Sequence, residues 1–180
     1  MGYTGGTTPD PTYHRLGDHT ESVQIDYDPG RISYERLLDV FFAEHNPVHP
    51  PFSAQYRSAI FVADEQQRSA AERAVAQRQA SGGRAYTTVE PLARFYRAED
   101  YHQKYRLRNR ASLMSEFHEI YPDEESFVDS TAAARVNGWL DGCGEPGTID
   151  AEIARLGLSE RGVLELCRLL RDPGRILTCR

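Results

Sequence analysis

Polar and apolar positions alternate through "ESVQIDYD" (21–28), with Val23, Ile25 and Tyr27 on one side and Ser22, Gln24 and Asp26 on the other. A period of two predicts a half-buried strand. Asp28-Pro29-Gly30 follows as a turn, since proline presets one backbone angle and glycine tolerates the tight return. Over 33–46 the period lengthens, and Leu37, Leu38, Val40, Phe41 and Phe42 share one broad face. That spacing predicts a helix, capped by the Ser33 hydroxyl and stopped by Pro47. "QYRSAIFVA" (55–63) turns almost wholly apolar towards its end, as a central strand does. Asp64 opens a second helix with Gln67 three residues on as its capping partner, and Gly82-Gly83 is its stop signal. "RAYTTVEP" (84–91) predicts a third strand and "AEDYHQKYRL" (98–107) a short helix. Residues 1–18, broken by Gly5, Gly6, Pro9, Pro11 and Gly17, predict a loop. Strand and helix alternate, so the expected fold is α/β, a two-layer sandwich.

From Ser112 onward only helical spacing remains. Phe127, Val128, Ala132, Val136, Trp139 and Leu140 form one stripe, and Val163, Leu164, Cys167 and Leu170 another. The glycine-rich "GCGEPG" (142–147) separates two helical hairpins. Two regions are therefore expected: an α/β domain over 1–111 and a helical extension over 112–180.

Composition narrows the class. The 180 residues are 39% hydrophobic and 27% charged with a net charge of -6, as in soluble globular proteins. No run approaches the ~20 apolar residues of a membrane helix. The one basic run, "YRLRNR" (105–110), has the character of a solvated helix end, so no nucleic-acid partner is expected. Met1 leads into glycines rather than into a signal peptide, and the cytoplasm is the expected location. Three cysteines, Cys143, Cys167 and Cys179, are too sparse for a disulfide scaffold.

Candidate chemistry gathers early. Tyr13, His14, His19 and Glu21 lie close in sequence, Tyr56 opens the second strand, and His45 and His49 flank the proline-rich loop. Imidazoles and a carboxylate suit zinc or iron, but no paired histidines on a helix and no thiolate pair accompany them. No metal or cofactor is expected. A glutamate where a loop enters a strand can be desolvated, which favours its protonated form and fits it to give up a proton. Two tyrosine hydroxyls beside it would converge on an oxygen that only accepts hydrogen bonds. The alternative is a solvated strand-end glutamate with tyrosines that merely pack.

Five blocks change the picture: "GYTGGTTPDPTY" (2–13), "HTE" (19–21), "YDPGRISYERLLDVFFAEHNP" (27–47), "QYRSAIF" (55–61) and "AEDYHQKY" (98–105). In order and spacing they resemble the peptide-methionine sulfoxide reductase A family over roughly residues 2–107. The resemblance implies a ferredoxin-like two-layer sandwich that reduces methionine S-sulfoxide, free or in peptides, with thioredoxin or another thiol as reductant. It assigns Glu21 as the acid that protonates the sulfoxide oxygen, and Tyr13 and Tyr56 as the phenols that hydrogen-bond it. Phe52 and His19 are expected at the substrate, and Cys143 and Cys179 as resolving thiols. There are three departures. The family's nucleophile lies in a Gly-Cys-Phe-Trp motif upstream of the GYTGG block, and these residues lack it. The loop before "QYRSAIF" is short and lacks the usual acidic residue, with Pro51 and Phe52 in its place. Helical sequence replaces the usual glycine-rich tail. Met1 is thus expected to fall inside a longer family-like reading frame that held the first strand, the first helix and the nucleophile. The alternative is a sulfoxide-binding or interaction module without turnover.

Overall fold

A computed structural model describes residues 1–45, 47–80 and 85–171. The chain divides into two compact units, Met1–Glu99 and a second that begins at Asp100.

The first unit is mixed α/β. Its elements are β1 (Gly2–Thr4), β2 (Thr20–Ser22), α1 (Tyr34–Ala43), β3 (Ala59–Val62), α2 (Glu65–Ala80), β4 (Thr88–Pro91) and β5 (Tyr96–Arg97). β1 is central in a three-stranded sheet, antiparallel to β2 on one side and β5 on the other. Tyr3 lies opposite Glu21 in one ladder and opposite Tyr96 in the other. β3 and β4 pair in parallel, with α2 as the crossover that parallel strands require. Leu38 and Phe42 of α1, Ala70 and Ala71 of α2, and Ile60 and Val62 of β3 share one apolar core. A smaller core joins Tyr3, Leu16 and Ala98.

Local signals explain several of these boundaries. The Ser33 hydroxyl accepts from Arg36 N at 3.2 Å and starts α1. Asp64 Oδ1 accepts from Gln67 N at 2.7 Å, and Gln67 Oε1 accepts in return from Ala63 N at 2.9 Å. The expected stop of α2 at Gly82-Gly83 lies outside the described residues.

Elsewhere the structure corrects the sequence. The strand expected over 21–28 stops at Ser22, and Val23 and Ile25 are 62% and 55% exposed. Alternation marks a strand only when something covers its apolar side. Within the expected loop 1–18, residues 2–4 form β1, buried between two partners. The strand ends where Gly5 adopts φ +79°, with the Phe61 ring 2.5 Å from where a Cβ would stand. The helix expected at 98–107 breaks into a 3-10 turn, Asp100–His102, and α3 (Tyr105–Arg108), parted by Lys104 in the left-handed region.

The second unit continues with α4 (Ala111–Ile120), α5 (Glu124–Asp129), α6 (Thr131–Leu140), α7 (Pro146–Glu152), a 3-10 turn (Ile153–Arg155) and α8 (Glu160–Arg171). Its core holds Leu107, Leu113, Phe117, Phe127, Val136, Trp139 and Leu166. Leu107 joins that core although the change in sequence character falls later, at Ser112. Leu164, expected on the apolar stripe of α8, is exposed instead. Asn137 Oδ1 on α6 accepts from the amides of Arg106 and Leu107 at 2.9 and 3.3 Å and so caps α3 from another helix. Glu116 does the same for α8, accepting from Ser159 N at 2.8 Å and its hydroxyl at 2.7 Å.

Phe127 is fully buried, edge-on to Phe117 with ring centroids 6.2 Å apart. Phe127→Ala is expected to cost the helical unit about 3–5 kcal/mol through lost contacts and a residual cavity. Urea unfolding followed by the fluorescence of the single tryptophan, Trp139, checks it.

Candidate active site

The loop from Gly5 to Asp18 carries Tyr13 and is held mainly by polar bonds. The Asp18 carboxylate accepts from the amides of Thr7 and Thr8 at 2.8–3.0 Å and from both their hydroxyls at 2.9 Å. The Thr8 and Thr7 amides, then the hydroxyls, pull the Asp18 pKa far below the ordinary carboxylate range. Gly17 at φ +65° brings the backbone so close to Thr8 that a Cβ would sit 2.0 Å from its hydroxyl oxygen. His19 is 1% exposed. Its Nδ1 accepts from Gly6 N at 3.2 Å, and its Nε2–H donates to Thr8 O at 2.8 Å. Both ring nitrogens of His19, expected at the substrate, are therefore used inside the loop.

Glu21 stands at the centre of β2, half-buried. Its amide donates to Gln55 O at 3.0 Å, and its Oε1 accepts from Gln55 Nε2 at 2.8 Å. These two bonds bring in the neighbouring Tyr56. Interaction with the Tyr13 phenol raises the Tyr56 pKa. Partial desolvation and the nearby charge of Glu21 raise it further. Tyr56, more than thirty residues beyond Glu21 in the chain, is thus a neighbour in space of Tyr13 and Glu21. Both phenols remain partly exposed, so this is an open surface site. The Phe52 ring lies 5.4 Å from that of Tyr56, tilted by 32°, and is 85% exposed.

A second set of bonds locks these pieces together. Arg57 Nε donates to the Thr20 hydroxyl at 2.7 Å, and that hydroxyl donates to Ala54 O at 3.0 Å. The guanidinium also forks onto Glu90 of β4, with Nη2 donating to Oε2 at 2.9 Å, and this holds the Glu90 pKa below its usual value. On the far side of the site, Glu99 Oε2 accepts from the Tyr3 hydroxyl at 2.7 Å and Oε1 from Tyr13 N at 3.0 Å. Gln55, Arg57, Asp18 and Glu99 were not singled out from sequence. Three of the four lie inside the recognised blocks, and Asp18 immediately precedes the "HTE" block.

Among the described residues no three His, Cys, Asp or Glu side chains are grouped to hold a metal ion. His45, one of the ligands considered, bonds Phe41 O through Nδ1 and Ser58 Oγ at 2.8 Å through Nε2. Among the described residues no helix is long and apolar enough to cross a membrane. Cys167 is the free cysteine there, Cys143 is disulfide-bonded despite the sparse cysteine count, and Cys179 lies outside them.

Residues 1–135 match the family described as PMSR, peptide methionine sulfoxide reductase. The chain belongs to the peptide methionine sulfoxide reductase family. It is 38% identical over 162 residues to a peptide methionine sulfoxide reductase of Drosophila melanogaster, covering 88% of this chain and 65% of the relative. It is 36% identical over 155 residues to peptide methionine sulfoxide reductase A5 of Oryza sativa subsp. japonica, covering 82% and 60%. The chain thus spans less than two thirds of the length of either. A peptide methionine sulfoxide reductase MsrA of Leifsonia xyli subsp. xyli is 43% identical over 113 residues, 58% of this chain and 67% of its own. The fold is similar to the crystal structure of Mxr1 from Saccharomyces cerevisiae in reduced form, with a TM-score of 0.56 and 28% identity over 61% of this chain and 69% of that one. A match over 88% of the chain cannot stop at Glu99, so the fly relative shares part of the helical unit.

Asp18 yields a pH prediction. Its folded-state pKa lies below the ordinary 3.8, so its contribution to stability is present above that value and is lost as pH falls through the lowered one. The melting temperature is expected to fall more steeply between about pH 5 and about pH 2 in the parent chain than in Asp18→Asn, which lacks the carboxylate. Parallel thermal melts across that range measure the difference.

Proposed function

We propose that Glu21, Tyr13 and Tyr56 form the acid and oxygen-binding part of a site that reduces methionine S-sulfoxide, free or in peptides, to methionine. The single observation that carries this proposal is the meeting of one carboxyl group and two phenols on an open surface. A sulfoxide oxygen accepts hydrogen bonds and donates none, so two phenolic O–H groups suit it. It leaves only once protonated, and Glu21 gives the proton. A thiol attacks the sulfur, the S–O bond breaks, and the oxygen departs with its protons as water. Two thiols become one disulfide, and the sulfoxide gains the two electrons. Thioredoxin or another small thiol is the reductant that fits this balance. Donors aimed at the oxygen stabilise the charge that builds there as the bond breaks.

Other side chains fall into place around this chemistry. The exposed Phe52 ring beside Tyr56 supports an apolar contact with the methionine side chain. The buried His19 supports a role in shaping the Tyr13 loop. The disulfide at Cys143 supports a redox role for that thiol, and Cys143 and Cys179 are each proposed as a candidate resolving thiol. These 180 residues contain no Gly-Cys-Phe-Trp motif, so the attacking thiol of the proposed reaction is not assigned to any of them. The same observation favours a second possibility, a module that binds oxidised methionine without turning it over.

A chromophoric methionine S-sulfoxide assayed with dithiothreitol separates the two. Turnover is expected, with Glu21→Gln lowering kcat by about 10²–10⁴-fold and Tyr56→Phe by about 10–100-fold. Binding of a sulfoxide peptide without turnover, weakened by the same substitutions, establishes the binding module. Neither turnover nor binding overturns both.

A further inference from the structure

Glu99 follows β5 and divides its carboxylate between two parts of the first unit. Oε2 accepts from the hydroxyl of Tyr3, which is 2% exposed and lies in β1. Oε1 accepts from the backbone N–H of Tyr13, on the loop. Tyr3 is also the residue directly opposite Glu21 across the β1–β2 ladder. One side chain therefore ties the Tyr13 backbone to the strand pair that carries Glu21.

The other bonds of the loop act elsewhere. Asp18 and His19 hold its beginning, Gly6 to Thr8. Thr12 and Arg15 pair with each other, at 2.9 and 3.3 Å, and so tighten the tip without joining it to a strand. The Glu99 bond acts at Tyr13 itself.

We propose that Glu99 is a positioning residue for the sulfoxide site: it fixes the Tyr13 main chain so that the Tyr13 phenol meets Tyr56 beside Glu21. This rests on the function proposed above. Glu99 touches no reacting atom, and acts through Tyr13. Glutamine preserves both connections, its carbonyl oxygen accepting from Tyr13 N and its amide donating to the Tyr3 oxygen. Alanine removes both and also leaves the buried Tyr3 hydroxyl without its acceptor, which destabilises the fold for a reason unrelated to Tyr13.

The test therefore starts from Tyr3→Phe, which removes that hydroxyl and leaves the Glu99–Tyr13 bond in place. The full chain is compared as Tyr3→Phe, Tyr3→Phe/Glu99→Ala and Glu99→Gln. One measurement is turnover of the chromophoric sulfoxide with dithiothreitol, or affinity for a sulfoxide peptide if the chain binds without turning over. The other is the set of contacts between the Tyr13 and Tyr56 rings, read by nuclear Overhauser effects with ¹³C-labelled tyrosine. Tyr3→Phe and Glu99→Gln are expected to stay within about threefold of the parent chain, because both keep an acceptor for Tyr13 N. Adding Glu99→Ala to Tyr3→Phe is expected to lower kcat, or affinity, by between about tenfold and about a hundredfold, the range for a catalytic group displaced by about 1 Å. The Tyr13–Tyr56 ring contacts are expected to vanish while the thermal melt still matches that of Tyr3→Phe. Retained ring contacts in the double variant overturn the proposal, whether or not the chain acts on sulfoxides. If the chain neither reduces nor binds a sulfoxide, the function proposed above fails, and the ring contacts still decide whether Glu99 positions Tyr13.

Discussion

The register of β1 against β2 is the constraint on which the site depends. Side chains alternate faces along a strand, so a slip of one residue would turn Glu21 to the opposite side of the sheet. The ladder that sets Tyr3 opposite Glu21 prevents this, and β5 holds β1 from its other edge. β2 contributes only three residues, so its backbone pairing needs support from side chains. Thr20 and Glu21 supply it, bonding Arg57, Ala54 and Gln55. Tyr56 is brought to the site through the same bonds.

The surroundings of Tyr3 are stabilised more by polar bonds than by a large apolar core. Among the described residues, the apolar side chains buried with Tyr3 are Leu16 and Ala98, and Tyr96 packs beside them. A loop of about a dozen residues with so little apolar cover is ordered by directed bonds, each of modest net value. This explains why the carboxylates that hold it, Asp18 within the loop and Glu99 after β5, accept several donors each. It also explains the glycines at positions 5 and 17, where close approach and positive φ leave no room for a side chain.

The helical unit follows a different rule. Its apolar core is continuous through Phe117, Phe127, Val136 and Leu166, and polar bonds tie several of its helix ends. Caps supplied by a neighbouring helix, from Asn137 to α3 and from Glu116 to α8, couple short helices that would be marginal alone. The fly relative shares sequence beyond Glu99, so part of this unit recurs with the α/β unit in at least one longer family member.

Where neighbours in sequence decide the outcome, the chain was legible. Ser33 caps α1 and Asp64 pairs with Gln67 because a capping side chain reaches only its own first turn. Val136, Trp139 and Leu140 were readable because helical spacing maps directly onto one buried face of α6, whereas Phe127, read on the same stripe, lies on α5 beyond the break at Ser130. The quoted blocks identified the family without reference to coordinates. Tertiary structure alone decided whether an apolar face finds cover: Val23 and Ile25 do not, whereas Gly2–Thr4, which read as loop, pairs on both edges. It also decided the partners that order the site. Glu99 meets Tyr3 and Tyr13 across 96 and 86 positions, and Arg57 meets Glu90 across 33. Bonds of that range depend on how strands and loops close in space, which the local pattern of a sequence does not encode.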